Sequence, residues 1–103
     1  MIIMEEYSCE VLIIGAGPAG CTAGVYCGRA NKDTIILKGK EHSALEMAKE
    51  IENWPGIITI SGSELLKQFQ EHAASHDSVR IIDGDVISLM LGMGMNMVST
   101  RNA

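Results

Sequence analysis

The sequence predicts an α/β fold. Three observations carry that prediction: an aliphatic run, Val11-Leu12-Ile13-Ile14, that stops at a glycine; a helical stretch from Pro18 to about Ala30; and a second aliphatic run, Thr34-Ile35-Ile36-Leu37, beyond a turn cluster. Strand, helix and strand within about thirty residues make one βαβ unit, which sets two strands parallel. With 103 residues, of which 47% are hydrophobic and 4% aromatic, the chain is expected to form a single unit over 1–103.

The first strand is expected to start at Cys9, because Cys9-Glu10-Val11-Leu12-Ile13-Ile14 reads as a segment buried on both faces of a parallel sheet. In the helix that follows, Gly20, Gly24 and Gly28 recur on one ridge. Each interior glycine costs about 1 kcal/mol against alanine. The ridge therefore implies close approach of the helix to a sheet or a bound ligand. Asn31-Lys32-Asp33 is the turn into the second strand.

Further along, Ser43-Ala44-Leu45-Glu46 and Ser61-Gly62-Ser63-Glu64 have capping-box spacing, where a serine oxygen and a glutamate carboxylate satisfy the free amides of a helix start. The first predicts a short helix. The second predicts an amphipathic helix with Leu65, Leu66, Phe69, Ala73 and His76 inward and Lys67, Gln70 and Glu71 outward. Between them Asn53-Trp54-Pro55-Gly56 is a turn. Val79 to Ile82 and Val86 to Leu89 read as short strands around the polar turn Asp83-Gly84-Asp85. Residues 90–103, with Met90, Met93, Met95 and Met97 among glycines, are expected to be a loose tail or a poorly specified hairpin.

Charge and composition narrow the function classes. Thirteen acidic against eight basic residues give a net charge of −5, which opposes binding to nucleic acid or an anionic membrane. No apolar run approaches the ~20 residues that span a bilayer. The start, MIIMEEY, carries acids where a secretory signal carries bases. A cytoplasmic location is expected. Cys9, Cys21 and Cys27 form no C-x-x-C pair and read as reduced, partly buried thiols. His72 and His76 lie four apart on one helix face but have no evident third ligand, so no metal site is assigned.

Chemistry resides in Gly15-Ala16-Gly17-Pro18-Ala19-Gly20, a G-x-G-x-x-G string placed between a buried strand and a helix, as dinucleotide binding requires. Gly15 makes the tight turn, Gly17 lets backbone approach a pyrophosphate, and Gly20 lets helix and strand pack. Unpaired amides and the positive end of the helix dipole attract the phosphates, and Pro18 removes only an amide that had no partner within the helix. A partial Rossmann-type layer is therefore expected. The carboxylate that usually binds the adenosine ribose about 20 residues later is displaced, because the second strand ends Leu37-Lys38-Gly39-Lys40-Glu41. Three readings stay open: Glu41 reaches back, Lys38 and Lys40 contact a ribose 2′-phosphate, or both lysines are solvated.

VLIIGAGPAG (Val11 to Gly20), AGVYCGRA (Ala23 to Ala30), EIENWPG (Glu50 to Gly56) and SGSELLKQFQEHA (Ser61 to Ala73) together resemble the N-terminal FAD-binding portion of low-molecular-weight thioredoxin reductases. The resemblance spans about residues 9 to 89. It implies a flavoenzyme in which NADPH reduces FAD, FAD reduces a C-x-x-C pair, and that pair passes electrons to thioredoxin. It places Gly15 to Ala19 at the pyrophosphate, Lys38 near the ribose contact, Asn53 near the flavin ring, and the Val86 backbone near the adenine. His42-Ser43-Ala44-Leu45 stands where that family usually has Gly-Gly-Gln-Leu. The C-x-x-C pair and the NADPH domain have no counterpart in these 103 residues.

The expected function is thus the FAD-binding segment of a thioredoxin-reductase-like oxidoreductase, truncated and not turning over alone, with no catalytic residue of its own. A non-catalytic nucleotide-binding or interaction module is the alternative, and a NADP-binding Rossmann fragment a third. An apolar sheet face left uncovered would favour self-association.

Overall fold

The computed structural model describes residues 6–101. The MIIMEEY stretch up to Glu5, and the tail beyond Arg101, lie outside the described residues. The order is β1 (Val11–Ile14), α1 (Pro18–Arg29), β2 (Thr34–Lys38), α2 (Ala44–Met47), α3 (Gly62–Ala74), β3 (Val79–Asp83), β4 (Asp85–Met90) and β5 (Met97–Arg101). Strands β1, β2 and β3 form a parallel sheet in that spatial order, and β4 pairs with β5 alone in a separate antiparallel ladder.

β2 is central. Thr34, Ile35, Ile36 and Leu37 are all buried, which is why its sequence is a continuous apolar run and not an alternating one. Register puts Ile13, Ile36 and Ile81 in one row across the sheet. That row meets Ala16, Cys21, Val25, Phe69, Ala73 and Val79 to form the core.

β1 starts two residues later than expected. The amides of Glu10 and Val11 both donate to the Asp33 carbonyl, at 2.9 and 3.1 Å, and the Glu10 carboxylate accepts from the Asp33 amide. Glu10 therefore anchors the strand entrance and does not extend the ladder.

The glycine ridge of α1 answers to neighbouring elements of the protein. A Cβ at Gly24 would lie 2.6 Å from Ile36 Cδ1 and 3.3 Å from the Ala73 methyl, so α1 lies directly on β2 and α3. The His76 ring occupies the space a side chain at Gly28 would need. His76 itself sits beyond the end of α3. Its ring centroid is 6.5 Å from that of His72, and no third metal-ligating side chain joins them among the described residues.

Both capping serines act as expected. Ser43 accepts from the Glu46 amide at 3.3 Å and Ser61 from the Glu64 amide at 3.2 Å. The reciprocal half of the first box does not form, because the Glu46 carboxylate bonds to the His42 ring instead. The turn after Asn53 is hydrogen-bonded from the Ile57 amide to the Trp54 carbonyl at 3.2 Å, with Pro55 and Gly56 at its centre. Gly56 takes φ 98°, as a type II turn demands at that position. An Ile51–Ile60 bridge closes this loop, and Trp54 packs on Phe69 at 5.0 Å.

Asp83-Gly84-Asp85 is not a hairpin turn. The Gly84 amide donates to the Lys38 carbonyl at 2.9 Å, and the chain there leaves the parallel sheet for the β4–β5 ladder. No helix among the described residues is long and apolar enough to cross a membrane.

Candidate functional site

The bend between β1 and α1 is built from backbone. Gly15 holds φ 110°, which L side chains rarely adopt, and its amide donates to the Leu37 carbonyl at 2.9 Å, tying the strand end to β2. A Cβ at Gly20 would overlap the Gly15 carbonyl, so the first turn of α1 lies on the bend itself. Gly17 is the N-cap, with φ −80° and ψ −168°. It has no side-chain cap, and no acid stands in the first turn of α1. Pro18 fills the first helical position, where its missing amide costs nothing.

The contrast with the other helix starts is chemical. α2 and α3 spend a serine oxygen on their free amides. The α1 amides have no such partner, and free amides with the positive helix end form a seat for an anion.

The bend is braced from inside. The Ala16 carbonyl accepts from the Gln70 side-chain amide at 3.1 Å and from the Cys21 thiol at 3.3 Å. Gln70 was expected to face outward; instead it reaches from α3 to the bend. Burial pushes the Cys21 thiol above its ordinary value, and the Lys38 charge partly opposes the shift. Ser43 comes over the bend too, its Cβ 3.7 Å from where a Cβ on Gly17 would stand.

Lys38 is exposed at the carboxyl end of β2 and shares an open groove of about 480 Å³ with Glu46, Ser63, Lys67, Gln70 and Glu71. The Lys40 amide donates to Asp85 Oδ1 at 2.8 Å, and the same oxygen stands 2.7 Å from where a Cβ on Gly39 would be. Asp85 thus brings a carboxylate to the end of β2, beside the strand whose own sequence supplies lysines there. Val86 follows it, half-buried and opposite Thr100. Glu41 is exposed.

The bend from Gly15 to Gly20 is tied to the end of β2 by the Gly15 amide on the Leu37 carbonyl, one residue before Lys38, while Val86 follows Asp85, whose carboxylate reaches the Lys40 amide just beyond Lys38. Asn53 does not join that group. It is exposed on the 51–60 loop, in a separate open cleft with Glu52, Trp54, Pro55 and Gly56. Gln70 and Asp85 are the site neighbours that sequence reasoning missed; Ser43 lies in the 42–45 segment that the resemblance already set against the Gly-Gly-Gln-Leu of the family. Cys9, Cys21 and Cys27 are free thiols.

A family model described as FAD binding domain matches residues 10–50, from the entrance of β1 to beyond α2. Thioredoxin reductase of Bacillus subtilis (strain 168) is 41% identical over 88 residues, covering 78% of this chain and 28% of that protein. Thioredoxin reductase of Aquifex aeolicus (strain VF5) is 41% identical over 93 residues, covering 88% of this chain and 28% of that protein. The crystal structure of T. acidophilum thioredoxin reductase superposes with a TM-score of 0.82 at 33% identity, covering 94% of this chain and 32% of that one.

The chain resembles the N-terminal FAD-binding region of thioredoxin reductases. The likeness to this thioredoxin-reductase-like region includes the parallel sheet and the β1–α1 bend. The chain spans 28% of the length of both curated relatives named above.

Proposed function

We propose that this chain binds FAD at the β1–α1 bend, as the flavin-anchoring part of a thioredoxin-reductase-like oxidoreductase. The observation that supports this best is the start of α1: uncapped, free of acids, and entered through Gly15 and Gly17 within the segment that matches a FAD binding domain. The residues fit the group. A diphosphate carries two negative charges and needs donors without competing side chains, which the backbone at Gly17, Ala19 and Gly20 supplies.

Bound FAD would supply the redox chemistry, and the protein would supply orientation and electrostatics. In this reading Gly15 to Gly20 hold the diphosphate, and Gln70 and the Cys21 thiol hold the Ala16 carbonyl inward so that the neighbouring amides stay available. Lys38 stands at the ribose, Val86 near the adenine, and Asn53 near the flavin ring. NADPH as electron donor and thioredoxin as acceptor belong to the same proposal for a longer enzyme. None of the residues placed here acts on a disulfide.

Lys38 favours a second reading, NADPH in place of FAD, because its ammonium beside the bend suits a ribose 2′-phosphate. Titration of the chain with FAD, FMN, ADP and NADPH, followed by flavin fluorescence and calorimetry, separates these. FAD binding with FMN inert supports the flavin reading, since FMN lacks the adenine half. NADPH binding more tightly than FAD overturns it, and ADP binding as tightly as FAD favours a nucleotide module without flavin contacts.

A further inference from the structure

The tip of the β4–β5 hairpin carries a group of side chains that the nucleotide site does not use. Met90 and Met97 are the last paired residues of the ladder and stand directly opposite one another. Directly opposed residues project to the same face with Cβ atoms about 4.5–5.5 Å apart. The intervening loop, Leu91 to Asn96, is drawn closed by the Gly92 amide on Asn96 Oδ1 at 3.3 Å and reverses at Gly94, φ 93°. Met93 and Met95 flank that reversal. Four methionines therefore belong to one end of one hairpin, two of them directly opposed across its last rung.

We propose that this tip is a soft-metal site in which the thioethers of Met90, Met93, Met95 and Met97 hold a monovalent d10 cation, copper(I), for which silver(I) is the chemical equivalent. Thioether sulfur is a soft ligand that selects copper(I) over magnesium, calcium or manganese. The four side chains are available for it: Met93 is fully exposed and the other three are at least 60% exposed, so packing does not account for them. Residues 86–100 contain no Asp, Glu, His, Lys or Arg, hence no carboxylate or imidazole to compete for the metal and no repelling charge. The net charge of −5 favours a cation near the chain. A thioether has no proton to lose, so the site binds without the proton release that thiolate and imidazole sites require.

The test is silver(I) titration of the full chain labelled with 13C at the methionine methyls, in a Cys9→Ser/Cys27→Ser background that removes the two half-buried thiols. The expected result is a saturable shift of the Met90, Met93, Met95 and Met97 methyls, with Met47, exposed on α2, serving as the internal control that stays still. Met93→Leu/Met95→Leu should weaken silver(I) binding at least tenfold while leaving the melting temperature unchanged. Affinity should be flat between about pH 5.5 and 7.5. Shifts of Met47 equal to those of the hairpin methyls, undiminished binding in the leucine variant, or affinity rising steeply with pH would each overturn the proposal.

Discussion

Gly17→Ala separates folding from binding at the candidate site. Gly17 has φ −80° and ψ −168°, extended backbone open to any residue, and the added methyl would meet only the Ser43 Cβ at 3.7 Å, an ordinary contact. The fold loses only the preference of an N-cap for glycine over alanine, about 0.5–1 kcal/mol. For a domain of this size that lowers the melting temperature by no more than about 8 °C. The ligand loses far more, because the methyl occupies the approach to the free amides. Forfeiting two hydrogen bonds to a charged group, at about 1.5 kcal/mol each, weakens FAD binding roughly 100-fold. Differential scanning fluorimetry and flavin fluorescence read the two effects on one sample. Gly20→Ala is the counterpart, since its Cβ would overlap the Gly15 carbonyl and neither backbone segment can yield. That cost, about 3 kcal/mol or more, exceeds the ~1 kcal/mol gained by replacing an interior helical glycine. A folded Gly17→Ala chain that binds FAD as tightly as the parent would refute the reasoning.

Gln70→Ala removes the side-chain amide that reaches the Ala16 carbonyl; a loss of about 1 kcal/mol in urea denaturation is expected, together with weaker FAD binding. Ser61→Ala should cost about 1 kcal/mol through the lost α3 cap and leave FAD affinity untouched, which a paired melt and titration will show. Burial raises the Cys21 thiol above 9.0, so the folded chain keeps that proton where the unfolded chain has released it. Its stabilisation is complete below about pH 9 and is lost as pH rises towards the folded value, so urea midpoints should fall over that window. The decline should be shallower in Cys21→Ala, with part remaining from Cys9, whose thiol is raised as well, mainly by burial.

The part of the fold governed by local chemistry was legible in the sequence. Gly15 to Gly20, the proline at the first helical position, the two capping serines and the Trp54-Pro55-Gly56 turn all stand where neighbouring residues alone require them. Long-range pairing was not legible. Gln70 sits on α3 among residues that periodicity assigns to solvent, and its partner is 54 positions away. Asp85 reads as half of a turn until the parallel register of β2 and β3 brings it to the Lys40 amide. Periodicity also extended the inner stripe of α3 to His76, although the helix ends at Ala74 and the imidazole reaches the Gly28 gap from the following loop. Methionine and glycine specify a strand weakly, so the β5 ladder depends on its partner β4.

The most direct test of the account follows backbone amides by 15N–1H correlation spectra as ADP, which carries the diphosphate without the flavin, is added to the full chain. The account predicts that Gly15, Gly17, Ala19 and Gly20 move together and saturate, while the serine-capped starts of α2 and α3 stay still. Saturable movement confined to any other surface, or an unmoved β1–α1 bend at saturating ADP, would contradict it.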